Sequence, residues 1–573
     1  MATPNDPGTP GTHGPGTPGD EPDDVARAGL GETSGGTSRA ADVLAGIVDI
    51  DDPASTFLLE PADVAHLVAR VVASGEGGER IVDSPQTGAP LASIPRSTPQ
   101  DVARAVDRAR DAQRSWARRS PAERAAVLLA LHDIVLDEQS RALDLIQLEN
   151  GKSRASAFEE VADVAQVSRH YGLRGPRYLR ARRVPGMLPV LTSTSVHRRP
   201  VGVVGVISPW NYPLTLALAD VIPALVAGNA VVLRPDEQAT LTALWAADAL
   251  ARAGLPDGVL QVVTGGAQIG VSLIEEVDHI VFTGSTATGR KIAQQAAGRL
   301  IGMTLELGGK NPMYVAADAD VESAALGAVR ACFANTGQLC MSIERLIVHQ
   351  DVADEFIEQL VDHVKALRIG PGLDYTHDVG SLTNAAQLAR VVGHVDDAIA
   401  RGARTLTGGV HRSDLGPLFY EPTVLTDVPP HALCVTEETF GPVVTVQRVR
   451  DDAEALRLMN ETEYGLNASI WTTDVRRARR LAAQVRAGTV NINDGYCAAW
   501  GSVAAPMGGF GASGVGRRHG RESIEAMTEV QTVAVQRLTQ HGASLDELFA
   551  LPGGKGQALL TTGLKALRRL RLS

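Results

Sequence analysis

Two kinds of hydrophobic pattern divide this chain. From about residue 60 to 185, apolar positions recur at helical spacing. Thr98, with Asp101 three residues on, opens one predicted helix that carries Ala103, Val106, Ala109 and Ala112 on a single stripe. Ser120-Pro-Ala-Glu123 opens a second, with an N-cap serine, proline at the first helical position and an acid in the first turn. A third runs through EEVADVAQVSRHYG. After Pro200 that period disappears and continuous valine-rich runs take over: VGVVGVI, AVVLR, LQVVT and HIVFTGS, with helical LTALWAADALARAG and GVSLIEEV between them. Apolar runs without alternation are what parallel strands covered on both faces require. A second alternating block extends from about 310 to 510, with strands predicted at MYVAA, RLIVH, TLTGG, VVTVQRV and TVNIN. Strand and helix alternation at this spacing predicts two doubly wound α/β units. TSTSVHRRP and TVAVQRL read as lone strands, expected to pair with each other or across subunits.

The two ends follow neither pattern. The opening stretch is Gly, Pro, Thr and Asp with almost no apolar content, so it is expected to be disordered. In the tail GQALLTTGLKALRRLRLS, Leu560, Leu564 and Leu567 share a helical stripe among basic residues. Such a helix can lie on an anionic membrane, but a frayed terminus or a helix packed on the body is the preferred reading. Between Val201 and Leu233 the only charged side chain is Asp220. Pro209, Pro213, Pro223, Gly202, Gly205, Gly228 and Asn229 punctuate that segment, which argues against a membrane span and for a buried strand, loop, helix and strand.

Composition narrows the function classes. At 573 residues, two to four domains are expected. A net charge of −12 disfavours nucleic acid, whose phosphates need surplus positive charge. The four cysteines (Cys332, Cys340, Cys434, Cys497) form no Cys-x-x-Cys pair, so neither a disulfide framework nor a thiolate metal site is expected. No basic region followed by an apolar stretch opens the chain, and a reducing cytoplasm is the expected compartment.

Four segments carry candidate chemistry. Ile207-Ser-Pro-Trp-Asn-Tyr-Pro213 follows a buried strand, where ligands bind in open parallel sheets, and Asn211 offers an amide to a developing oxyanion. Phe282-Thr-Gly-Ser-Thr-Ala-Thr-Gly289 leads from a strand into a helix, a place where backbone amides can meet a phosphate. In Leu305-Glu-Leu-Gly-Gly-Lys-Asn-Pro312, an acid between apolar neighbours has its pKa raised by desolvation, which suits a general base. Phe333-Ala-Asn-Thr-Gly-Gln-Leu-Cys340 ends on a cysteine after a glycine loop, where an exposed thiol can be activated. Taken singly, each also reads as structure: a turn asparagine, a plain loop, a Glu306 salt-bridged with Lys310 as its candidate partner, a buried cysteine. Gly265, Gly266 and Gly270 are weaker still and are consistent with closing a turn.

Together, in this order, these segments resemble the aldehyde dehydrogenase superfamily over roughly residues 55–535. The matching motifs are Pro209-Trp-Asn-Tyr-Pro213, Phe282-Thr-Gly-Ser285, Leu305-Glu-Leu-Gly-Gly-Lys310, Gly337-Gln-Leu-Cys340 and Glu437-Glu-Thr-Phe-Gly-Pro442. GQLCMSIER, GPLFYEPTVLT, YGLNASIW and GASGVGRRHG look like the actinobacterial NADP-type succinate-semialdehyde dehydrogenases of the second type. The resemblance implies an α/β aldehyde dehydrogenase fold. A disordered tail would occupy 1–45, a Rossmann-like cofactor domain 55–181 and 201–308, and a catalytic domain 309–510. A small β oligomerisation element would occupy 182–200 and 520–538, and a C-terminal extension 539–573. It implies NADP or NAD as cofactor, no metal, a small-molecule aldehyde as substrate, and a homodimer or homotetramer.

Carried over residue by residue, the resemblance makes Cys340 the nucleophile, Glu306 the general base and Asn211 an oxyanion donor alongside the Cys340 amide. It assigns the nucleotide to Trp210, Asn211, Arg234, Pro235, Asp236, Glu237, Gly284, Ser285 and Leu307, with Glu438 and Phe440 at the nicotinamide ribose and ring. Two departures qualify it. Arg234-Pro-Asp-Glu237 replaces the usual Lys-Pro: Glu237 favours ribose hydroxyls and would repel a 2′-phosphate, which Arg234 could offset, so both cofactors are expected to bind. The arginine that other succinate-semialdehyde dehydrogenases carry six positions before the cysteine is Ala334 here, with Arg174, Arg177, Arg345, Arg517 and Arg518 as candidates to grip a distal carboxylate. The alternatives are a medium-chain or aromatic aldehyde dehydrogenase, or a catalytically silent nucleotide-binding or structural protein of this fold.

Overall fold

The computed structural model describes residues 59–187, 192–537 and 544–569. The expected tail at 1–45 lies outside them, as do parts of the 182–200, 520–538 and 539–573 segments. The chain enters through a helix at Pro61–Val68 and an antiparallel hairpin, β1 (Glu79–Asp83) and β2 (Pro90–Pro95). That hairpin breaks the helical run expected for 60–185.

Three long helices follow, at Pro99–Trp116, Pro121–Asp137 and Arg154–Tyr178. Thr98 with Asp101, and Ser120 with Glu123, each form a reciprocal capping box, which satisfies end amides that would otherwise lack partners. The buried stripe of the first runs through Val102, Ala105, Val106 and Ala109, one position round from the expected one. Trp116 at its end is fully buried and donates from Nε1 to Leu225 O at 2.9 Å, which pins the helix to the core.

Strands β3 (Arg182–Pro185) and β4 (Thr192–Pro200) then leave the body, and β5 (Val203–Ser208) re-enters it. Next come β6 (Ala230–Pro235), β7 (Leu260–Val262), β8 (His279–Thr283) and β9 (Gly302–Glu306). Short helices Pro213–Leu218 and Val221–Ala227 sit between β5 and β6, in the segment whose hydropathy resembled a membrane span. Among the described residues no helix is long and apolar enough to cross a membrane.

The second block supplies β10 (Asn311–Val315), β11 (Ile343–His349), β12 (Arg404–Thr407), β13 (Thr423–Thr426), β14 (Val443–Val449), β15 (Asn467–Trp471) and β16 (Thr489–Ile492). The chain then adds β17 (Gly514–Val515) to the first sheet and β18 (Thr528–Gln536) to the outlying one.

The first sheet has the order β17-β9-β8-β5-β6-β7, parallel except for β17, with the chain reversing direction across the sheet at β5. The second has the order β12-β13-β14-β11-β10-β15-β16, parallel except for β12. The two lone strands pair with each other: β18 runs antiparallel to β4 along its length, and β3 closes the other side of β4. In the C-terminal extension a helix forms at Lys555–Arg569, with Leu560 and Leu567 half-buried and Leu564 exposed.

Replacing Trp116 with alanine removes a filled core site and the tie to Leu225. It is expected to lower stability by about 3–5 kcal/mol, read as a fall in the urea midpoint.

Candidate active site

Cys340 sits at the end of a strained turn. The helix Val321–Phe333 stops at Ala334, and the chain then takes three consecutive left-handed residues: Asn335 (φ 51°), Thr336 (φ 57°) and Gly337 (φ 71°). The two non-glycine residues cost about 1–3 kcal/mol each unless their surroundings hold them. Here they do. Asn335 N donates to Ser156 Oγ at 3.0 Å, its Nδ2 to Asn211 O and Gln338 O, both at 2.9 Å, and Thr336 Oγ1 to Gly380 O at 3.2 Å. Gly337 admits no side chain, because a Cβ there would overlap the Gly441 carbonyl.

The same network fixes Asn211, which follows β5. Its Nδ2 donates one proton to Gln338 O at 3.0 Å, leaving the second amide proton for another acceptor. Its own carbonyl accepts from Lys152 Nζ at 2.7 Å, and Lys152 pairs with Glu160 at 2.7 Å with both side chains fully buried.

Cys340 precedes β11, Lys310 precedes β10 and Phe440 precedes β14, so three amino ends of the second sheet face the carboxyl ends of the first. Asn311 Nδ2 donates to Cys340 O at 2.7 Å, which lays the segment after Glu306 against the cysteine. Lys310, fully buried, pairs with Glu344 on β11, and the Glu344 carboxylate also accepts from Thr439 N at 3.0 Å and Phe440 N at 2.9 Å. One buried carboxylate thus ties the loop before β10 to the loop that carries Glu438 and Phe440.

The electrostatics are those of a crowded anion site. Burial, more than anything else, pushes Glu306 up to about 8; the Asp220 charge adds to this, while Arg518 and Arg517 pull the other way. Glu306 Oε1 is buried and has no hydrogen-bond partner among the described residues. Burial also pushes the Cys340 thiol up to about 12, with further contributions from Glu438 and then Glu306, against Arg518 and the residue's own amide. The sequence suggested an exposed, activated thiol. The structure instead has a half-buried one, whose thiol is held above its ordinary value by burial and by the neighbouring carboxylates. Arg518 is buried and donates from Nε to Asp220 Oδ2 at 3.1 Å and from Nη2 to Thr283 Oγ1 at 2.8 Å. Asp220, the lone charge in the apolar segment, is therefore the counter-ion of that arginine.

The nucleotide candidates line the carboxyl edge of the first sheet. Trp210 meets Phe440 edge to face, with ring centroids 5.6 Å apart. Ser285 is exposed and caps the helix Thr286–Arg299, while Gly284 N donates to Glu306 O at 3.1 Å. Glu438, pushed up to about 7 chiefly by burial, accepts from Gly309 N at 2.7 Å, and a Cβ on Gly308 would collide with its carboxylate. Leu307 is buried behind this loop. Pro235 ends β6, and Asp236 caps the turn that follows by accepting from Gln238 N at 3.0 Å. Arg234 turns toward the loop after β7, where its Nε donates to Gly265 O at 2.8 Å. Glu237 is likewise engaged, accepting from Arg96 Nε at 2.8 Å. Glycines 265 and 266 do more than close a turn: Gly266 caps the helix Ala267–Glu276. An acid and aromatic rings at one end, and an exposed helix N-terminus beside a glycine cradle at the other, suit a nicotinamide dinucleotide.

The packing around Cys340 is aromatic. Tyr212, Tyr496 and Trp500 pack with Leu339, Met341 and Cys497, and Ala334 joins them. Both tyrosine hydroxyls donate to Glu159 at 3.1 Å, which also pairs with Arg330. Asp163, buried beside Thr215 and Trp500, is pushed up to about 7 by burial. Of the candidate arginines, Arg174 and Arg177 are exposed on the long helix, and Arg345 is spent inside the second sheet on Lys310 O and Leu458 O. Arg517 and Arg518 act on Glu306. The reading from sequence missed Asp163, although an acid three residues after Glu160 on a helix face otherwise filled by valine and alanine was a visible signal.

Glu344→Gln leaves the Lys310 ammonium buried without a counter-charge and is expected to cost about 3–5 kcal/mol. Adding Lys310→Met should recover much of this, as read by chemical denaturation of both variants.

The aldehyde dehydrogenase family pattern matches residues 72–533. The Mycobacterium tuberculosis protein named "Putative succinate-semialdehyde dehydrogenase NADP(+) 2" is 47% identical over 492 residues, covering 86% of this chain and 94% of its own. The 4,4'-diapolycopene aldehyde oxidase of a Methylomonas species is 40% identical over 77% of this chain and 83% of its own. Among solved structures, a succinate-semialdehyde dehydrogenase from Burkholderia pseudomallei superimposes with a TM-score of 0.78 at 35% identity, covering 81% of this chain and 96% of that one. Two α/β sheets, a Rossmann-like NAD(P)-binding half and a small outlying β element complete the same picture: this chain belongs to the aldehyde dehydrogenase family.

Proposed function

We propose that the protein oxidises succinate semialdehyde to succinate with NAD or NADP, using Cys340 as nucleophile and Glu306 as general base. The observation that carries the chemistry is the buried Glu306 carboxylate, whose Oε1 has no partner among the described residues and which is held near 8 by burial, close enough to the Cys340 thiol for its charge to act on it. Glu306 takes the proton of Cys340, and the sulfur attacks the aldehyde carbon to give a thiohemiacetal. The second amide proton of Asn211 and the Cys340 main-chain amide hold the resulting oxyanion. A bound nicotinamide would supply the hydride acceptor that lets the thiohemiacetal on Cys340 pass to a thioester. Trp210, Phe440 and Glu438 would hold its ring and ribose. Once Glu306 has passed the thiol proton on to solvent, it draws a proton from a water that attacks the thioester; the C–S bond breaks, Cys340 leaves as thiolate and the acid is freed.

The substrate reading is supported by the names of relatives sharing nearly half their residues with this chain, and by charge. The charges of Arg517 and Arg518 act on Glu306, which is the positive charge near the site that would favour a distal carboxylate despite Ala334. One observation favours a second reading, a medium-chain or aromatic aldehyde: the wall of Tyr212, Tyr496 and Trp500 beside Cys340. Val530, Val533 and Val535 stand exposed on the edge strand β18, in keeping with a homodimer or homotetramer joined through this strand.

The base works only when ionised, so kcat is expected to rise with pH through about 8 and then level off. Glu306→Gln should abolish that limb and lower kcat roughly 10²–10⁴-fold, measured by initial rates across pH. In a panel of aldehydes with each cofactor, succinate semialdehyde is expected to exceed butanal and benzaldehyde in kcat/KM. Equal values would transfer the assignment to the second reading, and no turnover of any aldehyde would mean a silent protein.

A further inference from the structure

Two arginines from the N-terminal hairpin reach the far end of the nucleotide crevice. Arg80 lies on β1 opposite Ile94, and Arg96 follows β2 two positions on, so the two side chains emerge on one face of the hairpin as diagonal neighbours. The ladder continues to that point, since Arg96 N donates to Gly78 O at 2.8 Å. The hairpin end is tethered to the loop after β7: Ser97 N donates to Thr264 O, and Thr264 N to Ser97 Oγ, each at 3.0 Å. Arg96 is thereby held next to the residue that bonds the strand end of that loop. Both guanidinium groups turn onto Glu237, Arg96 Nε at 2.8 Å from Oε1 and Arg80 Nη1 at 3.9 Å from Oε2. Glu237 lies against the same loop, with Oε2 3.8 Å from where a Gly266 Cβ would stand.

In a doubly wound sheet, the end of the second strand is where the adenosine ribose is read. An acid there accepts from the 2′-hydroxyl, and a nearby arginine accommodates a 2′-phosphate. Here β6 ends in the acid, and a separate element supplies the arginines. Arg234, the cation adjacent in sequence, is spent on Gly265 O.

We infer that Arg96, assisted by Arg80, forms the 2′-phosphate pocket of this protein, with Glu237 as an internal anion that occupies the pair when no phosphate is present. The inference rests on the nucleotide-dependent activity proposed above. A phosphate monoester carries nearly two charges at neutral pH, and a guanidinium binds it through paired donors, so it can displace a single carboxylate. Each arginine side chain is about 40% exposed and can turn from the acid to the phosphate without opening the core. With a plain ribose the arginines stay on Glu237, which explains how one site can take either cofactor.

Titration calorimetry with 2′,5′-ADP and 5′-AMP on the full chain separates the phosphate from the rest of the nucleotide. The ratio of their dissociation constants is the readout. Arg96→Ala is expected to shift it at least tenfold against the phosphate-bearing ligand, and Arg80→Ala by a smaller factor in the same direction. Glu237→Gln should shift it the other way, an opposite sign that a merely misfolded variant would not give. An unchanged ratio in Arg96→Ala, or a shift of the same sign in Glu237→Gln, overturns the inference. A wild-type chain that binds 2′,5′-ADP through Arg96 but oxidises no aldehyde would sink the proposed reaction and leave the phosphate pocket standing.

Discussion

A thiol enclosed by carboxylates is the constraint around which the rest of this structure is arranged. Cys340 faces Glu306 and Glu438, and removing all three from water penalises every one of their charged forms at once. Arg518 is a deeply buried cation that acts on Cys340, and it pairs with Asp220. The thiol, at about 12, holds its proton more tightly than Glu306, at about 8, so transfer between them is uphill, and the Arg518 charge favours the thiolate that the transfer creates.

Keeping those groups together demands rigidity from loops. The site lies where the carboxyl ends of one sheet meet the amino ends of another, so no regular element spans it. Buried polar side chains do the joining. Lys152 holds the Asn211 carbonyl, Asn335 bridges Asn211 and Gln338, Asn311 holds the Cys340 carbonyl, and Glu344 gathers Lys310, Thr439 and Phe440. In low dielectric each such bond is strong and each unpaired group is costly, so the network either forms whole or fails. That cooperativity also sustains the left-handed turn at Asn335 and Thr336.

The strands with continuous apolar runs were legible because both of their faces are covered and nothing polar interrupts them. Those missed had a physical reason to hide. Strand β9 begins with an exposed glycine and a half-buried methionine before its buried residues. Strand β15 is wholly buried, yet it contains Asn467 and Ser469, whose side chains donate to Met341 O, Gly495 O and Asp494 O and so pass for surface residues in the sequence. The hairpin β1–β2 is short and surrounded by helices.

The order of motifs along the chain determined the family, the two parallel sheets and the identity of the thiol, acid and amide that the fold brings together. Local pattern suffices there, because apolar runs and capping residues report the demands of the backbone. Protonation state and pairing were decided only in three dimensions. No spacing in sequence says that Asp220 will meet Arg518 some three hundred residues later, that Arg234 will turn to a carbonyl, or that a distant hairpin will place Arg96 on Glu237. Charge acts through space, and the distances that set its strength exist only once the chain has folded.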